Sequence, residues 1–130
     1  MTVAIKKMPS RGRLFKLFTD LGPYFRKLQS TQDSFFFDCL EICVDAAADP
    51  AEREFYGWWA MLYRTDDGFE FERFDGLFDK QGDWTAHKFK KAEQKQIDAA
   101  FETFLLNITA LIEEETGSTL CAREATLTEV

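Results

Sequence analysis

The sequence concentrates its largest side chains in two short segments, 53–59 and 76–84, which together contain all three tryptophans. Fourteen phenylalanines in 130 residues are also far above ordinary usage. A single small domain cannot enclose so much ring area in one core, so we expect some rings to face a partner, where Trp, Tyr and Arg dominate binding energy. Plain core packing is the competing interpretation for any single ring.

Apolar periodicity predicts two amphipathic helices. The first covers 14–21 and ends at Gly22-Pro23, and the second covers roughly 91–115 and ends at Gly117. Between them, alternating apolar residues and turn signals predict four strands, at 35–45, 55–64, 69–78 and 84–89. The predicted fold class is therefore α+β: a small antiparallel four-stranded meander sheet packed by an N-terminal helix and a long C-terminal helix.

Length and charge narrow the class of protein further. The 130 residues suffice for a single domain over 1–130, in which we expect 1–10 and 118–130 to be flexible tails. The formal net charge of −7 argues against general nucleic-acid binding, which requires a basic surface. No apolar run approaches a membrane span and no secretory signal is visible, so the three cysteines favour a reducing cytoplasm.

Candidate catalytic and metal-binding residues are few. Cys39 and Cys43 on one strand would stand on the same face roughly 13 Å apart, too far to share a zinc ion. His87 has no nucleophile near it in sequence, and Asp79 and Asp83 flank a turn in which such residues bind their own backbone. We therefore predict no metal, no cofactor and no enzymatic activity.

Four segments in order carry a resemblance to a known family: Leu21-Gly22-Pro23-Tyr24, Phe35-Phe36-Phe37-Asp38-Cys39-Leu40, and the two aromatic segments 53–59 and 76–84. Across roughly residues 13 to 115 they resemble the Crl family of bacterial sigma-factor-binding proteins. The match is poor at the extreme N-terminus and after Gly117. Tyr56 stands where relatives are expected to have tryptophan.

The resemblance implies a non-enzymatic transcription activator that binds domain 2 of the stationary-phase sigma factor, sigma S. It also implies that the activator promotes assembly of sigma S with core RNA polymerase, approaches the beta-prime subunit and does not read DNA. Residues that match the family's sigma-binding cavity are Tyr24, Phe55, Trp58 and Trp84. A cavity arginine matches Arg53, and a functionally important acidic residue matches Asp38.

Two geometric expectations follow for this cavity. Trp58 and Trp84 should be exposed or half-exposed and share one end of the sheet, with Tyr24 closing the side. Arg53 should lie on an exposed connection and orient the partner through a forked contact to a carboxylate. A generic interaction module with another partner and a small-ligand-binding domain remain alternatives, and nothing suggests more than a monomer.

Overall fold

The computed structural model describes residues 9–31, 33–66 and 68–123. Its two helices are α1 (Arg11–Leu21) and α2 (Lys91–Thr116). Its strands are β1 (Phe25–Arg26), β2 (Ser34–Cys43), β3 (Phe55–Arg64), β4 (Gly68–Phe78), β5 (Trp84–Ala86) and β6 (Thr119–Ala122). Short 3₁₀ turns cover Lys27–Gln29 and Pro50–Glu52.

The helix ends have local explanations. The Ser10 hydroxyl caps α1 by accepting a hydrogen bond from the Arg13 backbone N–H at 3.2 Å. Helix α2 ends at Gly117, which adopts a left-handed conformation with φ 71° and donates its N–H to the Glu113 carbonyl. Both predicted helices are confirmed, because each combines an apolar stripe with a clear stop signal.

The sheet runs in the order β1-β2-β3-β4-β5 with antiparallel neighbours, and β6 pairs parallel with β4. The predicted four-stranded meander is confirmed as β2 to β5, but the strand count is six. β1 has only two residues, too few for a detectable alternation, and β5 ends at Ala86 rather than at 89.

The C-terminal segment is the second difference. The prediction of a tail without regular structure from 118 onward is wrong for Thr119–Ala122, which pair with β4 as strand β6. The expectations for residues 1–8 and 124–130 lie outside the described residues.

Both helices pack on one face of the sheet, which we call the inner face. Helix α1 buries Leu14, Phe15 and Phe18, and its Phe18 ring meets Phe35 edge-on at 5.1 Å. Helix α2 crosses the centre of the same face. The buried core side chains from sheet and α2 are Phe35, Phe37, Trp58, Ala60, Leu62, Phe69, Ile97, Phe101, Phe104, Ile108 and Ile112. We call the opposite face of the sheet the outer face.

Candidate functional site: the aromatic outer face of the sheet

Adjacent residues of β3 point to opposite faces of the sheet, and this alternation separates the two neighbouring tryptophans. Trp58 lies on the inner face with none of its surface exposed, 5.0 Å from the Phe101 ring and 4.7 Å from the Phe104 ring. The expectation that Trp58 is exposed or half-exposed is therefore wrong: it is a core residue. Its neighbour Trp59 lies on the outer face.

Four rings contact one another on the outer face, and three of them are stacked. The Trp59 ring stacks on Phe74 at 5.3 Å and on Trp84 at 4.9 Å, and Trp84 also contacts Phe78 at 5.2 Å. Phe74 is 39% exposed and the other three rings are half-buried. We call Trp59, Phe74, Phe78 and Trp84 the aromatic surface. The half-exposed position of Trp84 is confirmed, but it does not share a cavity with Trp58, because the two lie on opposite faces.

A buried carboxylate holds this surface in place. Asp38 of β2 is 6% exposed and pairs across the strands with Trp59. It accepts a hydrogen bond from Trp84 Nε1 at 3.0 Å and one from Arg26 Nε at 2.5 Å. Arg26 Nη1 also donates to the Pro23 carbonyl at 2.9 Å. Two polar donors compensate the burial of the carboxylate and fix the orientation of the Trp84 indole.

Tyr24 lies beside Asp38 at the β1 edge of the sheet. Its ring is 5.8 Å from Trp58 and 5.6 Å from Phe104, and it is half-buried. A hollow of about 240 Å³ opens there, lined by Pro23, Tyr24, Arg26, Asp38, Cys39 and Leu40. Burial raises the pKa of the Tyr24 hydroxyl, and the nearby Cys39 and Glu41 raise it further. The neutral hydroxyl is thus available as a hydrogen-bond donor.

Phe55 and Arg53 lie at the start of β3. Phe55 is half-buried and pairs with Phe78, so it borders the aromatic surface. The half-buried Arg53 instead folds back into its own loop, with Nε donating to the Ala48 carbonyl at 3.1 Å and Nη2 to the Ala46 carbonyl at 2.9 Å. Arg53 therefore helps to order the connection between β2 and β3. This structural role was not predicted from the sequence. Its contact with a partner stays a prediction.

Four further residues contribute to this face and were not predicted from the sequence: Arg26, Trp59, Phe74 and Phe78. A signal for Trp59 was present. Counting alternate residues from Phe55 places Phe55 and Trp59 on one face and Trp58 on the other. Arg26 carried no such signal, because its role depends on a contact with a residue twelve positions away.

The remaining candidate residues have structural roles. Cys39 packs on the core whereas Cys43 pairs with Phe55, because a register shift between Leu40 and Ile42 turns the strand. The expectation that both thiols share a face is therefore wrong. Burial raises the pKa of the Cys39 thiol to about 12, so the thiol stays protonated at neutral pH.

The turn carboxylate behaves as predicted. Asp79 Oδ1 accepts hydrogen bonds from the backbone N–H groups of Gln81 and Asp83, both at 3.0 Å. His87 is exposed and stacks on the Tyr56 ring at 4.8 Å. Within residues 9–31, 33–66 and 68–123, no group of three or more His, Cys, Asp or Glu side chains is placed to hold a metal ion. No helix in that part of the chain is long and apolar enough to cross a membrane.

Helices bury one face of the sheet, and an aromatic surface bordered by a buried carboxylate remains on the other. An uncovered aromatic patch of this kind on a small α+β domain is typical of interaction domains.

Comparison with known proteins gives the family. A family model described as "Sigma factor-binding transcriptional regulator Crl" matches residues 1–130. A sigma factor-binding protein Crl from Photobacterium profundum is 39% identical over 107 residues, covering 82% of this chain and 80% of the relative. A protein of the same description from Vibrio vulnificus is 33% identical over 106 residues, covering 82% of each chain. Another from Vibrio cholerae is 32% identical over 92 residues, covering 71% of each chain. The chain belongs to the Crl family of sigma factor-binding transcriptional regulators.

Proposed function

We propose that this protein binds the stationary-phase sigma factor, sigma S, at its domain 2, and promotes the assembly of sigma S with core RNA polymerase. The observation that carries the proposal is the aromatic surface: four rings in contact that the two helices do not cover, in a chain of the Crl family. Stacked Trp and Phe side chains held in a fixed orientation provide binding area at little cost in conformational entropy. The protein acts in the cytoplasm as a monomer, without a cofactor and without reading DNA.

The residues divide into two roles. Trp84 and Phe55 offer rings on the outer face, Tyr24 offers a half-buried ring at the β1 edge of the sheet, and Arg53 lies on the loop before β3. Asp38 positions Trp84, and the buried Trp58 supports β3 from the inner face. Binding energy thus comes from the rings, while Asp38 and Trp58 hold the surface that presents them.

The activating mechanism requires only a small free energy. A partner that prefers one conformation of sigma S shifts its population toward that conformation, and about 1.4 kcal/mol changes an equilibrium tenfold. If the bound activator also approaches the beta-prime subunit, it raises the effective concentration of sigma S near the core enzyme. This increase favours assembly of the holoenzyme.

The test is a titration of this protein with purified sigma S, with the housekeeping sigma factor as the control. We expect saturable binding to sigma S and binding at least about tenfold weaker to the control. Asp38→Asn should weaken the sigma S complex at least about tenfold, because the amide cannot accept from both Arg26 and Trp84 as the carboxylate does. Asp83→Asn removes an exposed carboxylate of the β4–β5 turn and should leave the affinity unchanged. Equal affinity for the two sigma factors, or none for either, would contradict the proposal.

A further inference from the structure

A second surface lies on α2, in the helical layer behind the sheet and away from the aromatic surface. It is a groove of about 380 Å³ along one flank of the helix. Its lining residues are Glu102, Leu105, Leu106, Thr109, Ala110 and Glu113. We call it the α2 groove.

The floor of the α2 groove is apolar, and its most exposed residue does not serve the core. Leu106 is 72% exposed, although Phe104 and Ile108, two residues away on either side, are 4% and 1% exposed. Leu105 is half-buried at the border between the groove and the core. Leu106 therefore contributes little to folding, and its exposure to water carries a cost that a partner could remove.

The ends of the α2 groove are negatively charged. Glu102 and Glu113 lie three helical turns apart, about 16 Å at 1.5 Å per residue. No lysine or arginine occurs between Gln96 and Ala122, and neither glutamate forms an ion pair with any described residue. Within the described residues, the groove is thus an apolar strip with an unneutralised carboxylate at each end.

This charge pattern argues against a second copy of the same chain as the occupant. The lining positions are symmetric about the middle of the groove, since 102 and 113, 105 and 110, and 106 and 109 are equally far from it. In an antiparallel pair of α2 helices, Glu102 of one copy would therefore face Glu113 of the other, and like charges would repel. A nucleic acid is disfavoured for the same electrostatic reason.

We propose that the α2 groove docks an amphipathic helix of a partner protein, with aliphatic side chains on one stripe and Lys or Arg about three turns apart at its two ends. The aliphatic stripe packs on Leu105, Leu106 and Ala110, and the basic residues pair with Glu102 and Glu113. The docking site does not depend on the sigma factor, because the aromatic surface lies on the other side of the sheet.

The probe is a synthetic helical peptide of about 18 residues, or five turns, with leucines at spacings of three and four and lysines flanking the stripe. The control peptide has the same sequence with glutamates in place of the lysines. Fluorescence anisotropy with the full chain should give binding of the lysine peptide that is at least about tenfold tighter than that of the glutamate peptide. Leu106→Gln should weaken the lysine peptide at least about tenfold. Leu28→Gln is the matched control, since Leu28 is 95% exposed on the turn at Lys27–Gln29, far from α2 in sequence, and it should have no effect.

Charge reversal gives the sharper test. Glu102→Lys combined with Glu113→Lys should invert the preference, so that the glutamate peptide binds tighter, while affinity for sigma S stays unchanged. The proposal is overturned if the two peptides bind equally, if Leu106→Gln and Leu28→Gln behave alike, or if charge reversal leaves the preference as it was. A concentration-dependent dimer in sedimentation experiments that Leu106→Gln abolishes would also overturn it, in favour of a second copy as the occupant.

Discussion

Asp38 combines a structural role with a proposed functional one in a single side chain. Moving a carboxylate out of water costs several kcal/mol unless donors replace the lost solvation. Its two donors come from β1 and β5, so the Trp84 indole reaches over β4 and β3 to meet a residue of β2. The hydrogen bond holds the indole flat against Trp59, and the order of the aromatic surface therefore depends on a residue that is itself hidden from a partner.

The neighbouring tryptophans Trp58 and Trp59 provide a matched pair of substitutions. Trp58→Ala should lower the free energy of unfolding by about 3–5 kcal/mol, because it opens a cavity against Phe101 and Phe104. Trp59→Ala should cost about 1–2 kcal/mol of stability, since its ring is half-buried, but should weaken sigma S binding more than any loss of folded protein explains. Urea denaturation and a sigma S titration of both variants check the expectation. The opposite order of the two stability losses would show that the assignment of faces is wrong.

At the scale of elements, the sequence predicts the helices and strands that have a repeated apolar spacing. It does not predict the features that depend on strand pairing. Both helices and the four strands of the meander have repeated apolar spacing or clear turn residues. Strand β6 forms through parallel pairing with β4. The register shift between Leu40 and Ile42 arises in the pairing of β2 with β3. Neither pairing leaves a mark in the local sequence.

The same limit applies to the candidate site. Sequence resemblance selected Asp38, Phe55 and Trp84, which the structure places on the outer face, and Tyr24, whose ring packs against Trp58 and Phe104 at the β1 edge of the sheet. It also selected Trp58, whose side chain faces the core, because a motif names positions without giving the face to which each points. The sequence could predict that an aromatic surface exists. Identifying the residues that form it required the register of β3 against β4.

Gly57 tests the pairing of β2 with β3. A Cβ atom at this position would lie 1.9 Å from the Cys39 carbonyl oxygen, a distance that backbone atoms do not tolerate. Gly57→Ala should therefore lower the free energy of unfolding by more than about 2 kcal/mol and disturb the register next to the bulge.

Gly12→Ala is the control for this substitution. Gly12 is exposed in α1, and a Cβ atom there would meet nothing within 4 Å. The control should stabilise the protein by about 0.5–1 kcal/mol, because alanine is the better helix former. Thermal unfolding of both variants measures the two effects, and a Gly57→Ala protein as stable as the parent would refute the close approach of the two strands.

At the scale of the whole molecule, the sheet separates two surfaces of different chemistry. Aromatic rings occupy the outer face, and α2 presents an acidic and apolar flank behind the inner face. Polar contacts as well as the core join the helical layer to the sheet. Arg73 of β4 binds Asp75 at 2.8 Å and Asp98 of α2 at 2.6 Å, and its guanidinium lies 4.7 Å from the centre of the Phe101 ring. This network links α2 to β4 beside the apolar core.

The network predicts how stability responds to acid. Hydrogen bonds from Arg73 and Gln94 lower the pKa of the Asp98 carboxyl below its usual value. The unfolded chain therefore binds a proton at Asp98 more readily than the folded one. The contribution of Asp98 to stability is present above the unfolded pKa of about 3.9 and is lost as the pH falls through the lower folded value. Because the side chain is 50% exposed, solvent and salt screen the contribution.

Asp98→Asn should accordingly be less stable than the parent protein at neutral pH, and the difference should shrink as the pH falls from about 5 to below about 3. Urea midpoints measured across this range in low and high salt check the expectation, and high salt should reduce the difference at neutral pH. Glu102→Gln is the control, because Glu102 forms no ion pair with the described residues and lies on the exposed flank of α2. A difference between parent and Asp98→Asn that stays constant with pH would mean that Asp98 acts through packing rather than through its charge. The Arg73 network would then not be the electrostatic link between α2 and the sheet.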